Sequence, residues 1–307
     1  MTIRQTRFTG VVPPVVTPLT ADGEIDTASL ERLVGFLIEG GVDGLFALGS
    51  SGETAYLTES GRTRALEVVV KAAGGQVPVI AGCIETTTAR VVERAAIARG
   101  LGADAVVATA PFYTRTHPVE IERHFRQIAA EAELPLLAYD IPVCVHSKLD
   151  TGMLLQLAAD GVLAGVKDSS GDDPAFRYLC LGAAELPGFS VLTGHEVVFD
   201  AMLLGGADGV VPGLGNVDPH GYRRLMDAAR EGDWATARRE QDRLAELFRI
   251  VTVARDTSGT AAGLGAFKTA LMLRGVIATN AVSAPMAALD ADETAGVRRI
   301  LDTAGLL

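Results

Sequence analysis

The chain has little that would tie it to a polyanion, a membrane or an oxidising compartment. Its 307 residues carry 27 Lys and Arg against 38 Asp and Glu, a formal net charge of −11. An acid-rich surface repels nucleic acid and anionic lipid, so neither is an expected partner. The three cysteines, Cys83, Cys144 and Cys180, are widely spaced and form neither a metal-ligand pair nor a disulfide framework. That usage fits a reducing cytoplasm, the expected location. The opening Met1-Thr2-Ile3-Arg4-Gln5-Thr6-Arg7 is polar and lacks the apolar core of a secretion signal. No apolar run approaches the roughly 20 residues that span a bilayer. The histidines His117, His124, His146, His195 and His220 show no clustered ligand spacing. In Gly194-His195-Glu196-Val197-Val198-Phe199, Phe199 stands where a zinc-binding helix needs its second histidine. His195 and Glu196 read instead as a helix start. A metal-dependent mechanism lacks a ligand set here, and no cofactor is expected.

Glycine and short aliphatic runs are abundant: 34 glycines, with 48% hydrophobic residues. Apolar runs end near Val16, Ala47, Ala81, Ala108, Tyr139, Lys167, Thr193 and Val211. Amphipathic stretches of helical length lie between them, for example Thr27 to Glu39, Glu59 to Ala72, Thr87 to Arg99, Pro118 to Glu131 and Pro174 to Leu181. The intervals average about 28 residues, the size of a strand plus a crossover helix. Eight such units favour an α/β fold of the (β/α)8 TIM-barrel type over an open doubly wound sheet, although periodicity alone does not show closure. Asp26 is placed to cap the first helix and Gly40-Gly41 to end it, and Pro118 sits in a first turn where its missing N–H costs nothing. A small grammar recurs in Gly41-Val42-Asp43, Gly102-Ala103-Asp104 and Gly206-Ala207-Asp208, each ending a helix and opening a strand.

After Val211 the strands stop. Pro219 to Arg230, Trp234 to Val253, Gly265 to Gly275 and Ala291 to Thr303 read as helices. The expected organisation is a catalytic barrel over residues 1–217, with C-terminal helices over 218–307 packed on it, the last barrel helix among them.

Lys167 closes the apolar run Gly161-Val162-Leu163-Ala164-Gly165-Val166 and is followed by Asp168-Ser169-Ser170-Gly171. A lysine is rarely buried without a partner or a purpose. At the end of a parallel barrel strand it points into the mouth, where desolvation makes the amine a nucleophile toward carbonyls. An ordinary loop lysine just past a strand is the plainer alternative. Tyr139 ends the preceding strand, so its phenol is within reach of Lys167 for proton transfer, or simply fills the rim. Gly49-Ser50-Ser51-Gly52-Glu53-Thr54 offers amides and paired hydroxyls to an anion, or is a plain loop with a helix cap. Pro111-Phe112-Tyr113 marks a site or interface loop, with packing the simpler role for Phe112. Gly213-Leu214-Gly215-Asn216 is a weak phosphate signal with no Lys or Arg before Arg223.

Three motifs in order, Gly49-Ser50-Ser51-Gly52-Glu53, Tyr139-Asp140-Ile141-Pro142 and Gly165-Val166-Lys167-Asp168-Ser169-Ser170-Gly171, resemble the dihydrodipicolinate synthase/N-acetylneuraminate lyase family of class I aldolases. The resemblance covers the barrel from about Gly10 to Val217. It implies that Lys167 forms a Schiff base with pyruvate or a related 2-oxo acid and that Tyr139 is the general acid/base. It implies further that Ser50 relays protons and that Ser51, with Ser50 and Gly49, holds the substrate carboxylate. Tyr113 matches a relay tyrosine supplied by a neighbouring subunit, which implies a homo-oligomer, dimer or tetramer. Gly194 and Val211 match positions beside the bound oxo acid. The chain departs from the synthase branch at Cys144, where that branch carries an arginine gripping a second carboxylate. A thiol does not replace a bidentate clamp; His146 and Lys148 are the nearby candidates to compensate. The expected activity is therefore carbon–carbon cleavage or formation on a 4-hydroxy-2-oxo or 2-keto-3-deoxy sugar acid, with a small 2-oxo acid and an aldehyde as partners. The alternatives are 4-hydroxy-tetrahydrodipicolinate synthesis, dehydration of a keto-deoxy sugar acid, or a 2-oxo-acid-binding regulatory protein without turnover.

Overall fold

A computed structural model describes residues 7–307; residues 1–6, with most of the polar N-terminus and the start of the expected barrel segment, lie outside the described residues. Eight parallel strands form one sheet: β1 (Gly10–Val11), β2 (Leu45–Ala47), β3 (Val79–Gly82), β4 (Ala105–Thr109), β5 (Leu136–Asp140), β6 (Gly165–Asp168), β7 (Ser190–Thr193) and β8 (Gly209–Val210). The helices are α1 (Thr27–Glu39), α2 (Glu59–Ala73), α3 (Thr88–Leu101), α4 (Pro118–Ala132), the one-turn α5 (Pro142–Val145), α6 (Thr151–Ala159), α7 (Asp173–Ala183), α8 (Phe199–Leu204), α9 (Pro219–Arg230), α10 (Trp234–Phe248), α11 (Gly259–Leu273) and α12 (Ala291–Thr303). The sheet order is β1-β8-β7-β6-β5-β4-β3-β2.

The two ends of that order meet through the first apolar run. Val11 and Val12 face β8, where the Val12 amide donates to Val210 O at 2.9 Å. Two residues on, Pro14 bridges Phe46, and the Val15 amide donates to Phe46 O at 2.9 Å. One short run therefore serves both neighbours and closes the barrel. The regular strand is Gly10–Val11, not the whole run to Val16, because Pro13 and Pro14 have no amide to place in a ladder. Gly209 and Gly10 are needed at this seam: a Cβ on Gly209 would lie 2.2 Å from Gly10 O.

The recurrent Gly–Asp grammar proves to be one device used three times. Gly41, Gly102 and Gly206 take positive φ values of 77°, 93° and 105°, which turn the chain out of a helix. The aspartate two residues later then grips the neighbouring strand at the bottom of the barrel. Asp43, Asp104 and Asp208 each accept a 2.8 Å hydrogen bond from a main-chain amide, of Val11, Val79 and Val191 respectively.

Helix ends follow the capping signals. Asp26 accepts from the Ser29 amide at 3.0 Å, and Glu120 with His117 forms a capping box around Pro118. Two tail helices differ from expectation. Helix α11 begins at Gly259, six residues earlier than expected, because Ser258 caps it through the Ala261 amide. The segment expected as one helix to Val253 tightens into a 3-10 turn from Arg249 to Thr252. Helix α9 packs against β1, carrying the tail back onto the barrel. No helix of the described residues is long and apolar enough to cross a membrane.

Candidate active site

Tyr139 and Lys167 are direct neighbours across β5 and β6, so their side chains leave the sheet on the same face. Lys167 Nζ donates to Tyr139 Oη at 3.1 Å. The amine also lies 4.2 Å from the centre of the Tyr139 ring and 4.9 Å from that of Phe46. Lys167 is 5% exposed and Tyr139 3%. Tyr139 in turn meets Phe46 edge-on, with ring centres 6.1 Å apart. The nearby carboxylates are held by another cation: Lys148 pairs with Asp140 and stands 4.0 Å from Asp168 Oδ2. Burial raises the Asp140 carboxyl above its ordinary value, opposed by its bonds to Lys148 and the Leu149 amide.

A cavity of about 170 Å³ opens over Tyr139. Ser50, Thr54, Thr109 and Cys144 supply polar atoms to its wall, and Ile84, Phe112, Ile141 and Val145 supply apolar surface. No lining residue is charged. The Thr54 and Thr109 hydroxyls are buried without a hydrogen-bond partner among the described residues. A larger groove of about 530 Å³ at the opposite end of the barrel, around Leu134–Leu136 and Pro187–Phe189, has no titratable side chain in its lining.

The Gly49–Thr54 loop turns tightly over β2. Leu48 and Glu53 adopt left-handed conformations, φ 57° and 58°. Gly82 leaves room for this turn, since a Cβ there would lie 2.1 Å from Leu48 O. The Glu53 amide donates to Ser50 O at 3.1 Å. Ser50 lines the cavity, whereas Ser51 is half-buried beside it and Gly49 is buried below. Gly194 and Val211 stand on the β7 and β8 side of the mouth, outside the cavity lining; a Cβ on Gly194 would meet Ser169 Oγ at 2.1 Å.

After β5, Cys144 faces the cavity, and burial raises its thiol against the opposing field of Lys167. His146 is exposed, with φ 57°, where it ends α5. Lys148 is occupied by Asp140 and Leu149 O. Neither brings a cation into the cavity wall. Tyr113 is 94% exposed, with φ 75°, and reaches no part of this cavity within its own chain. His195 and Glu196 do begin a helical segment, a 3-10 turn leading into α8. The Glu196 residue is half-buried, but its carboxyl group is enclosed and accepts the Leu214 amide at 2.7 Å. Burial pushes that carboxyl up to about 7, against its main-chain hydrogen bonds and the field of Lys167. Among the described residues no three His, Cys, Asp or Glu side chains are grouped to hold a metal ion. Sequence reasoning missed Phe46 and Thr109 as parts of this site, while Thr54 falls in the loop it singled out. Phe46 and Thr109 lie in ordinary strand sequence, and only pairing across β2, β3 and β4 brings them together.

A barrel with a lysine and a tyrosine side by side at the C-terminal ends of its strands can form an imine with a carbonyl compound and move protons beside it. The family model of the dihydrodipicolinate synthetase family matches residues 7–304, and the chain belongs to that family. It is 36% identical over 298 residues to an uncharacterized DapA-like lyase of Halobacterium salinarum, covering 97% of this chain and 94% of the relative. It is 34% identical over 244 residues to the 4-hydroxy-tetrahydrodipicolinate synthase of Phenylobacterium zucineum, covering 80% and 82%. Among solved structures, the prophage protein YagE of E. coli K12, crystallised with pyruvate, superposes with a TM-score of 0.92 at 29% identity, covering 98% of this chain and 100% of that one. The dihydrodipicolinate synthase of Bacteroides thetaiotaomicron superposes with a TM-score of 0.91 at 31% identity, covering 99% and 100%.

Proposed function

We propose that the protein is a Schiff-base aldolase that makes or breaks the C3–C4 bond of a 4-hydroxy-2-oxo acid, joining or releasing pyruvate and an aldehyde, with a sugar-derived 2-keto-3-deoxy acid as substrate. The observation that carries the chemistry is the 3.1 Å contact between the buried Lys167 amine and the Tyr139 phenol. The unprotonated amine attacks C2 of the oxo acid. Tyr139 returns a proton to the departing hydroxyl, water leaves, and a protonated imine remains. In the cleavage direction the 4-hydroxyl gives its proton to the tyrosine. The C3–C4 electron pair then moves into the imine, forming an enamine, and the aldehyde departs. Protonation at C3 and hydrolysis release pyruvate and restore the lysine. Ser50 and Ser51 hold the carboxylate, and Ser50 passes protons to and from Tyr139. Gly194 and Val211 frame the oxo acid.

The uncharged cavity wall supports a neutral, hydroxyl-bearing partner over aspartate semialdehyde. With Cys144 in the loop and Lys148 engaged elsewhere, a second carboxylate would enter without a cation to meet it. The unpartnered hydroxyls of Thr54 and Thr109 suit a substrate bearing hydroxyls of its own. The exposure of Tyr113 and its left-handed backbone suit a residue that completes the relay in a neighbouring subunit, in a dimer or tetramer.

The test is borohydride reduction in the presence of pyruvate, followed by mass measurement of the intact protein and its peptides. A gain corresponding to reduced pyruvate on the Lys167 peptide is expected. No gain, or the same gain in Lys167→Ala, would remove the assignment. A screen of pyruvate with neutral and carboxylate-bearing aldehydes then tests the substrate: faster turnover of the carboxylate-bearing ones would defeat the sugar-acid reading.

A further inference from the structure

We infer that the buried Lys268–Glu53 ion pair is a positioning device for the carboxylate-binding loop, so that a residue of the C-terminal helices tunes substrate binding without touching substrate. The inference rests on reading Ser50 and Ser51 as that carboxylate's partners. The Glu53 and Lys268 side chains are both 0% exposed. Glu53 Oε1 meets Lys268 Nζ, and Glu53 Oε2 accepts the Ser283 amide at 2.7 Å. Lys268 also donates to Ala281 O at 2.8 Å. One carboxylate thus ties the loop to α11 and to the segment after it. The other end of the same residue acts on the site directly, because its amide holds Ser50 O at 3.1 Å. Glu53 occupies a left-handed conformation, an unfavourable one for a residue with a Cβ, and the ion pair offsets it. Thr17 adds a further tie through its 2.9 Å bond to Gly52 O.

Stability alone does not account for this arrangement. Desolvating two charges costs about as much as their attraction returns, and well-packed apolar residues in place of such a pair are often neutral or stabilising. Burial lowers the Lys268 pKa against the attraction of Glu53, showing the same competition in this site. A directional pair beneath a loop does what apolar packing does not: it fixes the loop's height and rotation. The oxo acid's carboxylate needs that geometry more than the folded state does.

The test compares wild type with Glu53→Gln/Lys268→Met, which removes both charges while keeping similar volumes, and with Glu53→Gln alone. Melting temperature, pyruvate half-saturation of borohydride trapping at Lys167, and steady-state kcat and KM are read together. The expected result is a double variant that melts near wild type, yet needs about 10- to 100-fold more pyruvate for half-saturation, with kcat less affected. Glu53→Gln alone should raise half-saturation in the same direction. Half-saturation within twofold of wild type in the folded double variant, or in Glu53→Gln where only that variant folds, overturns the inference while leaving the aldolase reading intact. Failure of both variants to fold assigns the pair to global stability and likewise overturns it. Absence of trapping in wild type itself fails the aldolase reading, and the inference falls with it.

Discussion

The two ends of this barrel treat polar groups in opposite ways. At the bottom, Asp43, Asp104 and Asp208 are each spent on a main-chain amide of the neighbouring strand. At the mouth, among the described residues, a phenol and two aromatic faces hold Lys167, and the Thr54 and Thr109 hydroxyls have no partner. Satisfied groups stabilise; groups left wanting are available to a ligand. The contrast separates stability from chemistry within a single sheet, as parallel barrels do in general.

Substitutions at the two ends should therefore fail in different ways. The largest effect is expected at Lys167: Lys167→Ala should lower turnover by about 10⁴-fold or more, since no other amine stands at the site to form the covalent intermediate. Tyr139→Phe should lower kcat by roughly 10²–10⁴-fold with a near-normal melting temperature, because the ring and its packing on Phe46 remain. A normal rate in that variant would remove the phenol from the proton path. Cys144→Arg sharpens the comparison at the mouth. A cation in the wall should improve the use of a carboxylate-bearing aldehyde by about 10- to 100-fold relative to a neutral one, the worth of a charge-assisted pair.

At the bottom, Asp104→Ala should cost about 1 kcal/mol by leaving the Val79 amide without its acceptor. Calorimetry should show a drop of a few degrees in melting temperature, with kcat and KM unchanged. A kinetic defect there would break the division between the two ends. A separate, pH-dependent effect concerns Glu196. Its carboxyl is pushed up to about 7 from the ordinary 4.5, so the folded form holds a proton that the unfolded chain has released. Stability contributed by that proton is lost as pH rises from about 4.5 to 7. Glu196→Gln should be less stable relative to wild type at pH 5 than at pH 8, and a constant difference across that range would refute the assignment.

Much of the frame was legible in the chain. Helices α1, α9 and α12 fall on the residues that capping and periodicity indicate, because Asp26, Pro219 and Asp290 mark starts that local hydrogen bonding enforces. The Lys167–Tyr139 contact was foreshadowed for a topological reason: consecutive parallel strands are neighbours, and both residues end one. The cavity wall was less legible. Phe46 is simply an apolar residue in β2, and Thr109 is a hydroxyl that any strand end tolerates; only pairing across three strands brings them together. Lys268 was silent for a similar reason: it sits in an otherwise largely apolar helix, and its partner Glu53 lies more than 200 residues away in the loop after β2. The fate of Lys148 also needed the fold, because its distance from Asp140 along the chain does not show which way either side chain turns.

The seam at the first strand has a consequence for how the molecule is made. Gly10 and Val11 find their register only on Gly209 and Val210. A chain emerging from the ribosome can match this run to Asp43 and Phe46 early, but its β8-facing side stays unmatched until two-thirds of its length has been synthesised. Ring completion is thus a late, long-range event, and the half-built sheet must tolerate an open edge in the interval.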